Sequence, residues 1–290
     1  MSFDPERVLS GESGIVEGPR RRTRARLRDA ADSAAAIATL APLRVQRAAA
    51  RLPRRRVLVL GIYGDDGVGA MARAVKELGV LAHDVRFALG ALGETDPALA
   101  PHTKLDRLAG SGKFENLNLL LAATPAEVDW TLVVDDDVAL PRGFLGKFLA
   151  CAEAFGLQLA QPAHRHTSHA AWSVTRRERW TLARRTQLVE IGPVTAFHSS
   201  IAPELLPFPP VRMGWGLDAH WGGLAQERGW RLGVVDATPI GHDLRRTAAG
   251  YDRAAAIAEI AEFLPGKPFI ERDAALHVVE RHHSLKPKSG

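Results

Sequence analysis

Three consecutive aspartates, Asp135, Asp136 and Asp137, close an apolar run of Trp130, Thr131, Leu132, Val133 and Val134. Carboxylates packed this tightly repel one another, and either a divalent cation or full hydration relieves the repulsion. On an extended backbone residues two apart point the same way, so Asp135 and Asp137 form a pair and Asp136 points to the other face. An Asp-x-Asp pair at a strand end therefore admits two readings, a cation site or a solvated acidic turn. Two later groups bear on the choice. Asp218 follows Gly214-Trp215-Gly216 in the first turn of an expected helix, where a carboxylate is either a cap or a base facing a cleft. His242, after Ile240-Gly241, offers an imidazole that either ligates a divalent cation or lies on the surface. Lys113, at the start of a helix expected over 115–123, either meets a phosphate at the positive end of the dipole or lies in solvent. His164, His166 and His169 also cluster, but no second group of ligands at metal-finger spacing accompanies them.

Placing these groups requires strands that end at one place. Residues 57–62 (VLVLGI) form the first convincing strand, Tyr63 to Gly69 a glycine-containing loop, and Val68, Met71, Ala72, Val75 and Leu78 a helical face running to Gly79. A second strand follows at 83–89. Strand, helix and strand make a βαβ unit with a parallel sheet, and such sheets bind ligands beyond the carboxyl ends of their strands. The loop glycines lack the Gly-x-Gly-x-x-Gly spacing of a dinucleotide site. Residues 90–112 form a long excursion, 130–135 the strand carrying the aspartates, and Pro141 the expected first residue of the next helix, which runs to about residue 155. Short strands are expected at 157–161, within 187–197 and at 230–235, and helices at 217–228 and 251–263.

The 290 residues are 46% hydrophobic and 24% charged, enough for a sizeable core. The net charge of +5 is unevenly placed. Residues 1–56 hold 13 arginines against 6 acidic residues, a net of +7, leaving 25 basic and 27 acidic residues in 57–290. A near-neutral body lacks the charge of a nucleic-acid-binding domain. Residues 1–19 have the composition of a mobile tail, and Leu27, Ala30, Ala31, Ala34 and Ile37 share one face of an Arg-rich helix. That arm reads as a helix packed on the body or on a second subunit, or as a peripheral attachment to an anionic membrane. Asp29 and Asp32 argue against a twin-arginine export signal. No stretch approaches the roughly 18 apolar residues of a spanning helix. The single cysteine, Cys151, suits a reducing cytosol, with the inner membrane face as a second expected location. The division expected is a basic arm over 1–56, a main domain over 57–265 and a disordered tail over 266–290.

The order of these elements resembles a GT-A-fold glycosyltransferase, similar to the family 2 type. The resemblance spans 57–243 and rests on a βαβ half, an apolar strand ending in Asp-x-Asp, the aspartate of Gly214-Trp215-Gly216-Leu217-Asp218 about eighty residues later, and then His-Asp. It implies an α/β fold with a Rossmann-type, mostly parallel sheet flanked by helices. It implies a nucleoside-diphosphate-sugar donor held through Mn²⁺ or Mg²⁺, with Asp137 as direct metal ligand, Asp135 as ribose or water-mediated contact and His242 as a further ligand. Asp218 would deprotonate the hydroxyl of a glycan, lipid-linked or small-molecule acceptor, with inversion. Gly61, Tyr63, Asp84, Lys113 and Asp136 complete the expected donor site, although the family's usual pattern after the first strand is absent. Two other classes compete. A nucleotidyltransferase or a haloacid-dehalogenase-like phosphatase would use the same aspartates, with Asp135 as nucleophile in the latter, but Ala139 stands where the phosphatase pattern has Thr or Val. A non-enzymatic sugar-binding scaffold would use the arm for association.

Overall fold

A computed structural model of the protein describes residues 3–10, 18–242 and 252–285. Helices α1 (Pro19–Ala38) and α2 (Ala41–Arg51) precede β1 (Arg56–Tyr63), α3 (Val68–Leu78), β2 (Asp84–Ala91), β3 (Thr103–Leu105), α4 (Lys113–Ala123) and β4 (Trp130–Asp135). Then come β5 (Val138–Ala139), α5 (Phe144–Ala154), β6 (Leu159–His164), β7 (Ala183–Thr186), β8 (Val194–His198) and α6 (Ala202–Leu205). The chain continues through α7 (Leu217–Arg228), β9 (Leu232–His242), α8 (Arg253–Phe263), α9 (Arg272–Ala275) and β10 (Val278–His282).

The strands form one sheet in the order β10-β7-β9-β6-β8-β4-β1-β2-β3, with β5 paired to the far end of β9. Seven strands of that order run the same way, and β8 and β7 run against them. The carboxyl ends of β1, β4, β6 and β9 therefore meet along one edge. Alternation along β1 divides the core. Leu58, Leu60 and Ile62 join the layer carrying α4, α7 and α8, and Val57, Val59 and Tyr63 join the layer carrying α3 and α5.

Several expectations are corrected. Pro141 does not start a helix: α5 begins at Phe144, after Gly143 adopts a left-handed conformation (φ 69°) and the Glu77 carboxylate accepts the Gly143 and Phe144 amides. The excursion at 90–112 contains β3, which extends the sheet edge. The described part of the tail, residues 266–285, is not disordered, because β10 pairs with β7 and Ile270 is buried. Residues 3–10 are packed as well: Val8 is buried and Phe3 sets its ring edge-on to Phe269. Asp243 and residue 251 lie outside the described residues.

The arm packs on the body, and the side of α1 that meets it is not the Leu27–Ile37 face. Its α2 lies on α5 and buries Val45. In α1 the buried residues are Ala25, Asp32 and Ala35, whereas Leu27, Ala30, Ala31, Ala34 and Ile37 are all exposed. Acidic side chains do the anchoring. Asp29 accepts the His166 and Thr167 amides and the Thr167 hydroxyl, and Asp32 pairs with His166 and Arg179 at 2.8 and 2.7 Å.

Candidate functional site

A cleft of about 940 Å³ opens at the carboxyl ends of β1 and β4, on the side of the sheet that carries α4 and α7. Ile62 and Asp135 are register partners across β1 and β4, and both line it. The three aspartates fan out. Asp135 turns toward α4, where its Oδ1 lies 2.6 Å from Lys113 Nζ, and both side chains are largely buried. Asp136 turns toward the loop after β1 and accepts the Gly64 amide at 2.9 Å. A Cβ at Gly67 would lie 1.9 Å from Asp136 Oδ2, so only glycine fits beneath this carboxylate. Asp137, 7% exposed, reaches His242 with Oδ2 3.1 Å from Nε2.

His242 is placed by pairing of β5 with β9, which sets Val138 opposite it. Its Nδ1 faces the His169 carbonyl at 3.4 Å while Nε2 faces a carboxylate. Both neighbours are acceptors, so Nε2 either carries a second proton or turns its lone pair to a cation shared with Asp137. Burial alone would lower the imidazole pKa. The hydrogen bond and charge of Asp137, with Asp135 beyond, outweigh it and raise the value above the ordinary one.

Asp218, in the first turn of α7, lines the same cleft. Trp172 Nε1 donates to its Oδ2 and the Ala219 amide to its Oδ1, each at 2.9 Å. Burial pushes its carboxyl up to about 6, the two hydrogen bonds pull the other way, and the charge of Glu190 adds to the rise. Glu190, also in the cleft lining, is itself buried. It accepts the Trp172 amide at 3.1 Å and the Thr175 hydroxyl, and lies 3.5 Å from His164 Nε2. Desolvation works against its charge, but His164 and these donors hold its carboxyl below the usual range.

The cleft thus gathers Asp135, Asp136, Asp137, Lys113, His242 and Asp218. Three expected donor contacts are not brought there. Asp84 is exposed at the amino end of β2, opposite Arg56, about 23 Å of strand from the edge where the cleft lies. Gly61 faces α3, where a Cβ would lie 2.8 Å from Met71 Cε. Tyr63 points the same way and its hydroxyl bonds Thr103 Oγ1 at 2.9 Å. The alternation of β1 gives the cleft Ile62 instead. Of the histidines weighed for zinc, His164 pairs with Glu190 and His166 with Asp32.

Sequence reasoning passed over Glu190 and Trp172. Glu190 had a signal, a lone acid in the apolar run Val189, Ile191 and Val194; Trp172, in a loop without period, had none.

Whether a divalent cation fits can be read from the donors. Among the described residues no three His, Cys, Asp or Glu side chains converge as a metal cage. Asp137 and His242 do converge, with the oxygen, the nitrogen and the carbonyl-oriented Nδ1 that a metal-bound imidazole shows. Two protein ligands in the lining of an open cleft suit Mn²⁺ or Mg²⁺ that takes its remaining ligands from phosphate oxygens and water. Asp135 is held by Lys113 and does not reach that pair as a third direct ligand.

No family model and no curated protein matches the chain. Solved structures do. GalNAc-T7, crystallised with UDP, GalNAc and Mn²⁺, superposes at a TM-score of 0.51 with 10% identity, over 74% of this chain and 47% of that one. The mannosyltransferase PcManGT from Pyrobaculum calidifontis, in complex with GDP-Man and Mn²⁺, gives 0.45 and 17% identity over 73% and 68%. TarS of S. aureus gives 0.47 and 13% over 65% and 37%. The likeness to GalNAc-T7 defines the architecture: this chain has a GT-A-type α/β fold. It spans about half the length of the GalNAc-T7 chain.

Proposed function

We propose that the protein is a metal-dependent glycosyltransferase that moves a sugar from a nucleoside-diphosphate-sugar to a hydroxyl acceptor, with inversion. The observation that carries this reading is that one cleft is lined by two kinds of carboxylate, which the proposal assigns to two walls. Asp135, Asp137, Lys113 and His242 lie on one, and Asp218, with its raised pKa and no cation within ion-pair distance among the described residues, lies on the other. The GT-A-type fold supports the reading, since GalNAc-T7, which shares it, was crystallised with UDP, GalNAc and Mn²⁺.

In this proposal Asp137 and His242 hold Mn²⁺ or Mg²⁺, which when bound supplies charge compensation for the leaving diphosphate. Asp135 keeps Lys113 beside the donor, where the ammonium meets diphosphate oxygens at the start of α4. Asp136 fixes the loop after β1 through Gly64 and so shapes the donor side. Asp218 accepts the acceptor's hydroxyl proton as that oxygen attacks the anomeric carbon from the face opposite the leaving group. Trp172 orients the Asp218 carboxylate, and Trp215, also in the lining, offers an apolar face to a sugar ring. The acceptor is a glycan, a lipid-linked sugar or a small molecule. No described helix is long and apolar enough to cross a membrane.

The test is a panel of nucleotide sugars and simple hydroxyl acceptors with Mn²⁺, with nucleoside diphosphate release and glycosylated product both measured. Metal-dependent formation of both is expected. Phosphate release from generic phosphoesters without sugar transfer would instead assign the aspartates to a phosphatase.

A further inference from the structure

Among the described residues the apolar stripe of α1 has no partner. Leu27 and Ile37 are 65% and 66% exposed, and Ala30, Ala31 and Ala34 between them are exposed as well. Leu40 in the connection and Leu43 in the first turn of α2 add two more exposed large side chains at the corner of the arm. A helix normally turns such a stripe inward. Here Asp29 and Asp32 fasten the opposite side of α1 to the body, which holds the stripe outward.

The flanks of the stripe are basic. Arg20, Arg21, Arg22, Arg24, Arg26 and Arg28 are exposed, and among the described residues none is in an ion pair. Along one edge of the stripe, Arg26, Ala30 and Ser33 form a wall of a cavity of about 530 Å³, and Arg165 and Arg177 of the body form the facing wall. Arg177 Nη1 donates to Ser33 Oγ at 3.2 Å, and none of these three arginines meets a carboxylate at ion-pair distance among the described residues. Asp29 also borders the cavity, but two amides and the Thr167 hydroxyl engage its oxygens. The cavity keeps a net positive charge next to an apolar strip, which is the chemistry of a phospholipid headgroup beside its acyl chains.

We propose that the outward face of the arm binds the surface of an anionic phospholipid bilayer. The Leu27–Ile37 stripe enters the interface, the flanking arginines face the headgroups, and one lipid phosphate occupies the cavity between Arg26, Arg165 and Arg177. A second copy of the chain fits this face less well, because a two-fold contact would set the same arginine rows against each other. The location of charge agrees: residues 1–56 carry a net of +7 and the remainder −2.

Co-sedimentation of the full chain with vesicles of phosphatidylcholine alone, and of phosphatidylcholine mixed with phosphatidylglycerol, tests this without reference to transferase activity. Binding only to the anionic vesicles, weakened by added salt, is expected. Two double variants separate the parts: Leu27→Ser with Ile37→Ser removes the large side chains of the stripe, and Arg26→Gln with Arg165→Gln removes one arginine from each wall of the cavity. All four positions are exposed, and circular dichroism checks that each variant folds. Each double variant should weaken binding by about tenfold or more. Equal sedimentation with both vesicle types, undiminished binding by both variants, or no binding to anionic vesicles overturns the proposal. A dimer in analytical ultracentrifugation that Leu27→Ser with Ile37→Ser dissolves overturns it in favour of a second copy.

Discussion

The two walls proposed for the cleft treat carboxylates in opposite ways. On one, Asp135 faces Lys113 at 2.6 Å and Asp137 faces His242 at 3.1 Å, so each negative charge has a basic partner. On the other, the donors to Asp218 among the described residues are an indole and backbone amides, and the nearby Glu190 is a like charge. A carboxylate matched by cations can exchange one of them for a metal or a phosphate-bound ion. A carboxylate whose charge is penalised takes up a proton more readily, which is what a general base must do. Burial alone therefore does not separate the roles; the neighbours do.

The largest expected effect breaks the first wall. Asp137→Asn should reduce kcat/KM by about a thousandfold or more, since loss of metal-supported charge stabilisation is worth several kcal/mol. Steady-state transfer at several Mn²⁺ concentrations checks it, with the melting curve reporting that the fold persists. Next, Asp218→Asn should lower kcat by roughly 10²- to 10⁴-fold, as for loss of a general base, and leave the KM for the donor nearly unchanged.

The pH dependence follows from the same carboxyl. With its value near 6, Asp218 is protonated and idle below that pH, so turnover of the unaltered protein rises as pH passes about 6. Stability moves the other way. The folded state holds this proton more tightly than the unfolded chain, so the stabilisation it gives is present below the ordinary value of 3.8 and lost as pH rises toward 6. Denaturant titrations of Asp218→Asn should lack that decline. The smallest effect belongs to Trp172→Phe. Removing an indole donor that favours the ionised carboxylate should move the acidic limb of the rate profile upward, by about one unit or less.

Much of the frame was legible because local rules governed it. The β-branched runs in β1 and β4 and the helical spacing of Val68, Met71, Val75 and Leu78 placed the βαβ half and put the aspartates at the end of β4, but the same-facing pair of Asp135 and Asp137 did not follow, because β4 ends at Asp135 and the next two residues turn. What escaped depended on distant partners. Asp84 and Tyr63 lie on a correctly placed strand pair, but the parallel register puts one at the wrong end and the pleat turns the other away. Glu190 and Trp172 reach Asp218 only through the packing of separate loops. The arm is the clearest case: its periodicity was legible and the side it turns to the body was not, because Asp29 and Asp32 bind the body more specifically than a row of alanines can.

The difference between the walls is tested most directly by calorimetric titration of a nucleoside diphosphate, with and without Mn²⁺, into the unaltered protein, Asp218→Asn and Asp137→Asn. Metal-dependent binding should be the same in Asp218→Asn as in the unaltered protein and absent in Asp137→Asn. Equal binding by Asp137→Asn, or its loss in Asp218→Asn, would contradict the assignment of donor and base to opposite sides of the cleft.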